Sequence, residues 1–266
     1  MLHRLEVEPG TKARIGERDP DAKLGMDKNE GETRLARVVE RIDTLQSRLY
    51  GEDRHSVLLV LQGLDASGKD GVVRRVFAGV NPMGVTVTSF KAPVGVELQH
   101  DYLWRIHAAL PRRGTVGVFN RSHYEDVVAV RMYELAPESV WRPRYEHIRA
   151  FERMLVDEGT TVLKVFLNVS REEQRKRFQE RVDDPEKRWK FRRDDLKVRE
   201  RFDEWIAAWE EALTETSTEW APWYVVPADR NWVKALAVGE LLLHALERLD
   251  PQLPDPEEGL EGLVIT

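Results

Sequence analysis

Gly63–Asp70, GLDASGKD, is the segment whose residue types and spacing point most directly to chemistry. It follows a short apolar run, SVLLVLQ (56–62), and opens into GKDGVVRRVFAGV, a helical pattern. A glycine-rich turn between strand and helix aims successive backbone N–H groups at an anion. The helix N-terminus adds partial positive charge, and a lysine at position 69 can reach over the bound group. Gly63, Ala66, Ser67, Gly68, Lys69 and Asp70 are therefore candidate phosphate-binding residues. The plainer alternative is a turn in which Ser67 or Asp65 caps the helix. The segment fits GxxxxGK but carries Asp70 where Ser or Thr is usual. With Asp65 it places two carboxylates where an anion should bind, which suits Mg²⁺ or a magnesium-bound phosphate.

A second constellation follows TVGVF (115–119), which ends in Asn120, Arg121, Ser122, His123, Tyr124, Glu125 and Asp126. In proteins with such a loop the neighbouring strand often ends in an acid that holds the magnesium shell. Here that position is Asn120, and Glu125 and Asp126 come five and six residues later. Arg121 could clamp a transferring phosphate. An acidic first helical turn, favoured by the helix dipole, is the competing account of Glu125 and Asp126.

DDPEKRWKFRRDDL (183–196) interrupts two helical patterns with Pro, mixed charge and a tryptophan. Such a segment can close over phosphates and exclude water. Its cations would be Lys187, Arg188, Lys190, Arg192 and Arg193, joined by Arg177 and Arg181 on the preceding helix; a solvated charged hairpin is the alternative. The seven histidines show no metal-ligand spacing, and His123 alone falls near the proposed chemistry.

Strand and helix patterns alternate around these motifs. Leu35, Val38, Val39, Ile42, Leu45 and Leu49 recur at helical spacing. VTVTSF (85–90), TTVLKVFLNV (160–169) and WYVVPA (223–228) read as further strands. Helices are expected over 97–110, 140–157, 171–181, 196–213 and 231–249. This alternation predicts an α/β fold, a mostly parallel sheet with helices on both faces. No repeat or low-complexity linker divides the chain. We expect an arm over 1–29, one domain over 30–250 with a lid at about 177–196, and a Pro-rich acidic tail over 251–266. The tryptophans at 205, 209, 220, 223 and 232 are expected in core packing or a subunit contact.

Composition narrows the function. The 266 residues contain no cysteine, which excludes disulfides, thiolate metal sites and a cysteine nucleophile. No apolar stretch reaches the length of a membrane span, and the first 30 residues lack the apolar core of a signal peptide, so a cytoplasmic location without membrane attachment is expected. The formal charge of −6 argues against a general nucleic-acid binder. It conceals a segregation: from Asp203 onward 14 acids face 3 bases, net −11, so residues 1–202 carry −6 minus −11, or +5. Arginine outnumbers lysine 30 to 11, which fits either bidentate phosphate recognition or a GC-rich coding sequence.

VLQGLDASGKDG, NPMGVTVTSFKAP, VFNRSHYEDV, DPEKRWKF and APWYVVPAD occur in this order. Together they resemble the polyphosphate kinase 2 family over roughly residues 30–250. The resemblance implies a P-loop kinase fold of the thymidylate kinase type: three layers, a central parallel sheet, a helical lid and an N-terminal helical extension. It also implies a Mg²⁺ cofactor, with Mn²⁺ as a substitute, and phosphoryl transfer from inorganic polyphosphate to AMP and ADP, giving ADP and ATP. Asn120 resembles the class III branch, associated with both acceptors. Gly63 and Ser67 depart from the family's expected Ala and Gly, but the backbone amides, Asp65 and Lys69 remain.

Carried over by resemblance, Asp65 would orient the acceptor phosphate and hold metal with Glu125, and Lys69 would neutralise the transferring group. Asn120, Arg121, Glu125 and Asp126 would contact the acceptor's phosphates or their metal. Phe90, Lys91 and Pro93 would lie near the nucleoside, and Arg177, Arg181, Lys187 and Lys190 would grip polyphosphate. A homodimer or homotetramer is implied as well. The competing functions are an ATP-dependent nucleoside monophosphate kinase and a non-catalytic P-loop protein that binds nucleotide or polyphosphate.

Overall fold

The computed structural model describes residues 2–260 and 263–265. Its centre is β2 (Ser56–Gln62), buried along its whole length. Seven consecutive buried residues require cover on both faces, and the chain supplies it with parallel neighbours and flanking helices. β4 (Val116–Asn120) and β5 (Thr160–Asn168) pair parallel with β2 on either side. β3 (Val85–Ser89) lies outside β4, and β6 (Trp223–Pro227) outside β5, both parallel. A two-residue strand from the N-terminal arm, β1 (Glu6–Val7), adds antiparallel to β6 and gives the order β1-β6-β5-β2-β4-β3. The expected parallel sheet is thus mixed, with one antiparallel edge strand.

On one face α1 (Lys28–Glu52), α2 (Lys69–Val76) and α10 (Asn231–Leu249) pack together. α1 begins at a capping box in which Asp27 accepts from the Glu30 amide and Glu30 accepts from the Asp27 amide. α4 (Glu125–Met132), α6 (Arg144–Asp157) and α9 (Phe202–Thr216) cover the other face. The helix expected over 140–157 is divided into α5 (Glu138–Trp141) and α6, because Pro143 cannot donate a backbone hydrogen bond. That expected over 196–213 breaks at Arg201, between α8 (Asp194–Glu200) and α9. The 97–110 pattern reduces to a 3₁₀ turn, Gly95–Gln99, and α3 (Trp104–Ala108). α7 (Arg171–Asp183) starts at Ser170, which accepts from the Glu173 amide.

Trp205, Trp209, Trp223 and Trp232 are buried in the core, as expected. The arm contributes to the same core through Leu5, Val7, Ala13 and Ile15. Beneath the site, Lys164 on β5 and Glu152 on α6 form an ion pair at 2.6 Å with exposures of 0% and 1%. Tyr124 donates to Glu152 at 2.8 Å, and Lys164 also donates to the Thr216 carbonyl at 2.7 Å. Among the described residues no helix is long and apolar enough to cross a membrane.

Candidate active site

β2, β4 and β5 run parallel, so their C-terminal ends emerge at one edge of the sheet, where the chain leaves β2 through Gly63–Gly68 and enters α2 at Lys69. Ala66 and Gly68 have left-handed backbones, with φ of 65° and 100°, and Gly63 has φ 146°. A side chain at Gly63 would also meet the Leu167 carbonyl at 2.8 Å, so the loop can sit against β5 only with glycine there. Ser67 N–H closes the turn on the Leu64 carbonyl at 3.1 Å.

Lys69 is buried, and its ammonium donates to the Gly63 carbonyl at 2.7 Å and the Leu64 carbonyl at 3.3 Å. Burial and the nearby Arg121 lower its pKa to about 8, against the opposing pull of Asp65, Glu125 and Asp70. Asp70, one residue further, is exposed and accepts from the Asn120 amide at 2.7 Å. Asn120, the last residue of β4, therefore reaches the loop as the motif spacing required.

Arg121 adopts φ 65°, a conformation uncommon outside glycine that turns the chain sharply after β4. Its N–H donates to the Leu61 carbonyl at 3.0 Å, tying this strand end to the loop strand. The guanidinium bridges two carboxylates, Asp65 and Glu125, the latter at 3.0 Å. Burial would push the Asp65 carboxyl up, but Arg121, Lys69 and Arg181 together hold it below its ordinary value. Glu125 raises the Arg121 pKa further. The structure thus brings Asp65, Lys69, Asp70, Asn120, Arg121 and Glu125 into one cluster.

Other candidates are placed differently. Asp126, expected beside phosphate, is buried and accepts from Arg105 at 3.3 Å. Successive helical side chains diverge by about 100°, so with Glu125 facing the loop its neighbour must turn away. Burial raises the Asp126 pKa, and Arg105 offsets part of that. Arg177, expected to grip polyphosphate, donates instead to four main-chain carbonyls, of Ala66, Ser67, Ala228 and Asp229, at 2.7–3.0 Å. Lys187 pairs with Asp184 at 2.7 Å within its own exposed turn, and Lys190 lies over Trp189 at 5.1 Å. Arg181 stays close enough to Asp65 to act on its charge. His123 is buried, its Nε2 3.5 Å from Glu152, so its ring is closed to a substrate.

Phe90 packs edge-on against Phe119 at 4.9 Å and helps to line a groove of about 410 Å³ with Ser89, Lys91, Ala92, Trp104 and Arg105. Pro93 is not among its lining residues. The groove adjoins the cluster, because Phe90 N–H donates to the Asn120 carbonyl at 3.1 Å.

A family model described as polyphosphate kinase 2 matches residues 25–254. The chain belongs to the polyphosphate kinase 2 family. It is 50% identical to an AMP/ADP-polyphosphate phosphotransferase of Meiothermus ruber, covering 99% of this chain and 100% of that one. It is 46% identical to an ADP-polyphosphate phosphotransferase of Rhodopseudomonas palustris over 83% of this chain and 81% of the relative. The crystal structure of polyphosphate kinase 2 from Arthrobacter aurescens TC1 superposes with a TM-score of 0.93 at 40% identity, covering 97% of this chain and 93% of that one. As a member of that family the chain is a phosphotransferase, and its α/β fold is the family's.

Three residues at the site escaped the motif reading. Gln174 donates to the Asp65 carbonyl at 3.0 Å, Lys234 donates to the Ser67 carbonyl at 2.9 Å, and Asp195 is close enough to Asp65 for their charges to interact. Only Lys234 left a sequence signal, as a lone cation in the apolar stretch WVKALAVG.

Proposed function

We propose that this enzyme moves a phosphoryl group from inorganic polyphosphate to AMP and ADP, giving ADP and ATP by direct in-line transfer. One observation carries the reading: Lys69 and Arg121 meet Asp65 and Glu125 at the mouth of the phosphate loop, with the Phe90 groove alongside. The name of the full-length Meiothermus relative and Asn120 support the two acceptors.

The reaction breaks the bond between the terminal phosphorus and its bridging oxygen, forms a bond from an acceptor phosphate oxygen to that phosphorus, and leaves the polymer one unit shorter. A phosphate monoester loses its second proton near pH 6, so at neutral pH the acceptor oxygen is already a nucleophile and needs no strong base. The protein's part is positioning and charge stabilisation. Loop amides and Lys69 hold the donor phosphates, Arg121 neutralises the transferring group, and Asp65, kept ionised, orients the acceptor. The lid cations Arg181, Lys187 and Lys190 screen the remaining polymer charge, and Phe90 and Lys91 meet the nucleoside.

Asp65 and Glu125 fit a divalent cation, since both already face one positive group at the loop mouth. Among the described residues no cluster of three metal-ligating side chains occurs, so phosphate oxygens and water would complete a Mg²⁺ or Mn²⁺ shell. The bound ion would supply further neutralisation of phosphate charge. Purified protein given Mg²⁺ and long-chain polyphosphate should make ATP from ADP, and ADP then ATP from AMP. No product from either acceptor, or transfer to AMP from ATP alone, would overturn the proposal.

A further inference from the structure

Lys234 lies in the first turns of α10 with 1% exposure. Its ammonium donates to the Ser67 carbonyl at 2.9 Å and the Ala228 carbonyl at 3.1 Å, and forms no salt bridge with any described residue. Arg177 grips the same two carbonyls from α7, at 3.0 and 2.8 Å, and adds those of Ala66 and Asp229. Two cations therefore lie behind the phosphate loop, joining it to the turn between β6 and α10. Arg177 has a carboxylate partner, Glu173 at 2.9 Å, whereas Lys234 donates only to neutral carbonyls, with Glu173 and Asp229 acting on its charge without direct contact. A buried ammonium without a carboxylate in direct contact is costly.

The geometry explains what that cost secures. In a trans peptide the carbonyl and the next N–H point in opposite directions. Cations pulling the Ser67 carbonyl backward therefore aim the Gly68 N–H forward, toward the phosphate position, and polarise it as a donor. Gly68 also lets the loop approach the lysine: a Cβ there would meet the ammonium nitrogen at 2.3 Å.

We propose that Lys234 is a positioning residue for the donor: with Arg177 it sets the Ser67–Gly68 peptide, and its charge is balanced by the phosphate chain bound on the loop's other side. This rests on the reading of polyphosphate as the ligand of that loop. Burial and Arg177 lower the Lys234 pKa to about 7, with Glu173 and Asp229 opposing and Arg75 of α2 adding to the effect. A bound anion favours the charged form. Polyphosphate binding at pH 8 should accordingly draw a proton onto the enzyme.

The experiment compares the wild type with Lys234→Met, Lys234→Gln and Lys234→Arg by steady-state kinetics. It adds calorimetric titration with linear tripolyphosphate at pH 8 in two buffers of different ionisation enthalpy. Lys234→Met should raise the KM for polyphosphate about 10- to 100-fold and leave that for ADP within about twofold. It should also reduce the proton uptake to the smaller share drawn by Lys69. Lys234→Arg should recover much of the lost affinity, because it keeps the charge. Lys234→Gln, which keeps a donor, guards against misfolding of the methionine variant and should bind tripolyphosphate with the same reduced uptake. A folded neutral variant with unchanged polyphosphate KM, or one with undiminished proton uptake, overturns the proposal. Absence of wild-type turnover would count against the polyphosphate kinase reading instead, since the tripolyphosphate titration needs no turnover.

Discussion

Replacing Arg121 with alanine should strengthen metal binding to the nucleotide-free enzyme while destroying turnover. The guanidinium sits between Asp65 and Glu125, the two carboxylates suited to a divalent cation, so ion and arginine compete for them. Charge-assisted hydrogen bonds contribute about 1.5–3 kcal/mol each when well buried. The Arg121 and Asp65 side chains are 32% and 30% exposed, and solvent screening brings each bond down to about 1–1.5 kcal/mol. The bridge is then worth roughly 2–3 kcal/mol, which leaves the carboxylates free in roughly one molecule in 30 to 150. Apparent affinity scales with that competent fraction, so Arg121→Ala should tighten the Kd for the ion by about 30- to 150-fold. Mn²⁺ binding followed by electron paramagnetic resonance, without nucleotide or polyphosphate, reads this directly. Turnover should fall by about 10³-fold or more with the loss of the cation at the transferring group. Unchanged or weaker Mn²⁺ binding in a folded variant would refute the competition.

The pH dependence of kcat/KM for polyphosphate should fall on the alkaline side in two steps, near 7 as Lys234 loses its proton and near 8 as Lys69 does, and Lys69→Arg should move only the second step upward. Asp65, held below its ordinary value, should add no acid limb above about pH 4; a Asp65→Asn variant that loses activity but keeps the wild-type acid limb would bear this out. Lys164→Met leaves Glu152 charged and buried, and urea denaturation should record a loss of about 3–5 kcal/mol. Lys164→Met with Glu152→Leu should regain most of it, and equal losses in the single and double variants would show that the pair is not coupled.

The phosphate loop was legible because its function is written in residue types at fixed spacing: glycines that permit φ above zero and a lysine at the helix start. Alternating patterns gave the α/β class, and their lengths located the strands to within a residue or two. The helix breaks at Pro143 and Arg201 were harder to read, since the apolar spacing continues across both. Asp126 could not be separated from Glu125, because both are acids in one helical turn and only the helix phase decides which faces the loop. Arg177 misled for a different reason. Its partners are main-chain carbonyls at 66–67 and 228–229, and carbonyls carry no side-chain signature. β1 was missed because two residues are too few to show alternation.

The hydrogen bond from Asn120 to Asp70 bears on which nucleotide the mouth admits. Around the loop lysine, Asp65, Asp70 and Glu125 face Lys69 and Arg121, three negative charges against two positive. The amide at 120 contributes none, and it donates to Asp70 at 2.7 Å. An aspartate there would set two carboxylates against each other, so that either one takes a proton or the local excess doubles. Repulsion from that excess grows with every phosphate an acceptor brings. If the acceptor's phosphates enter at this strand end, as proposed, a neutral residue there would penalise the diphosphate less than an aspartate would, and one uncharged side chain would widen the range of acceptors the pocket could serve.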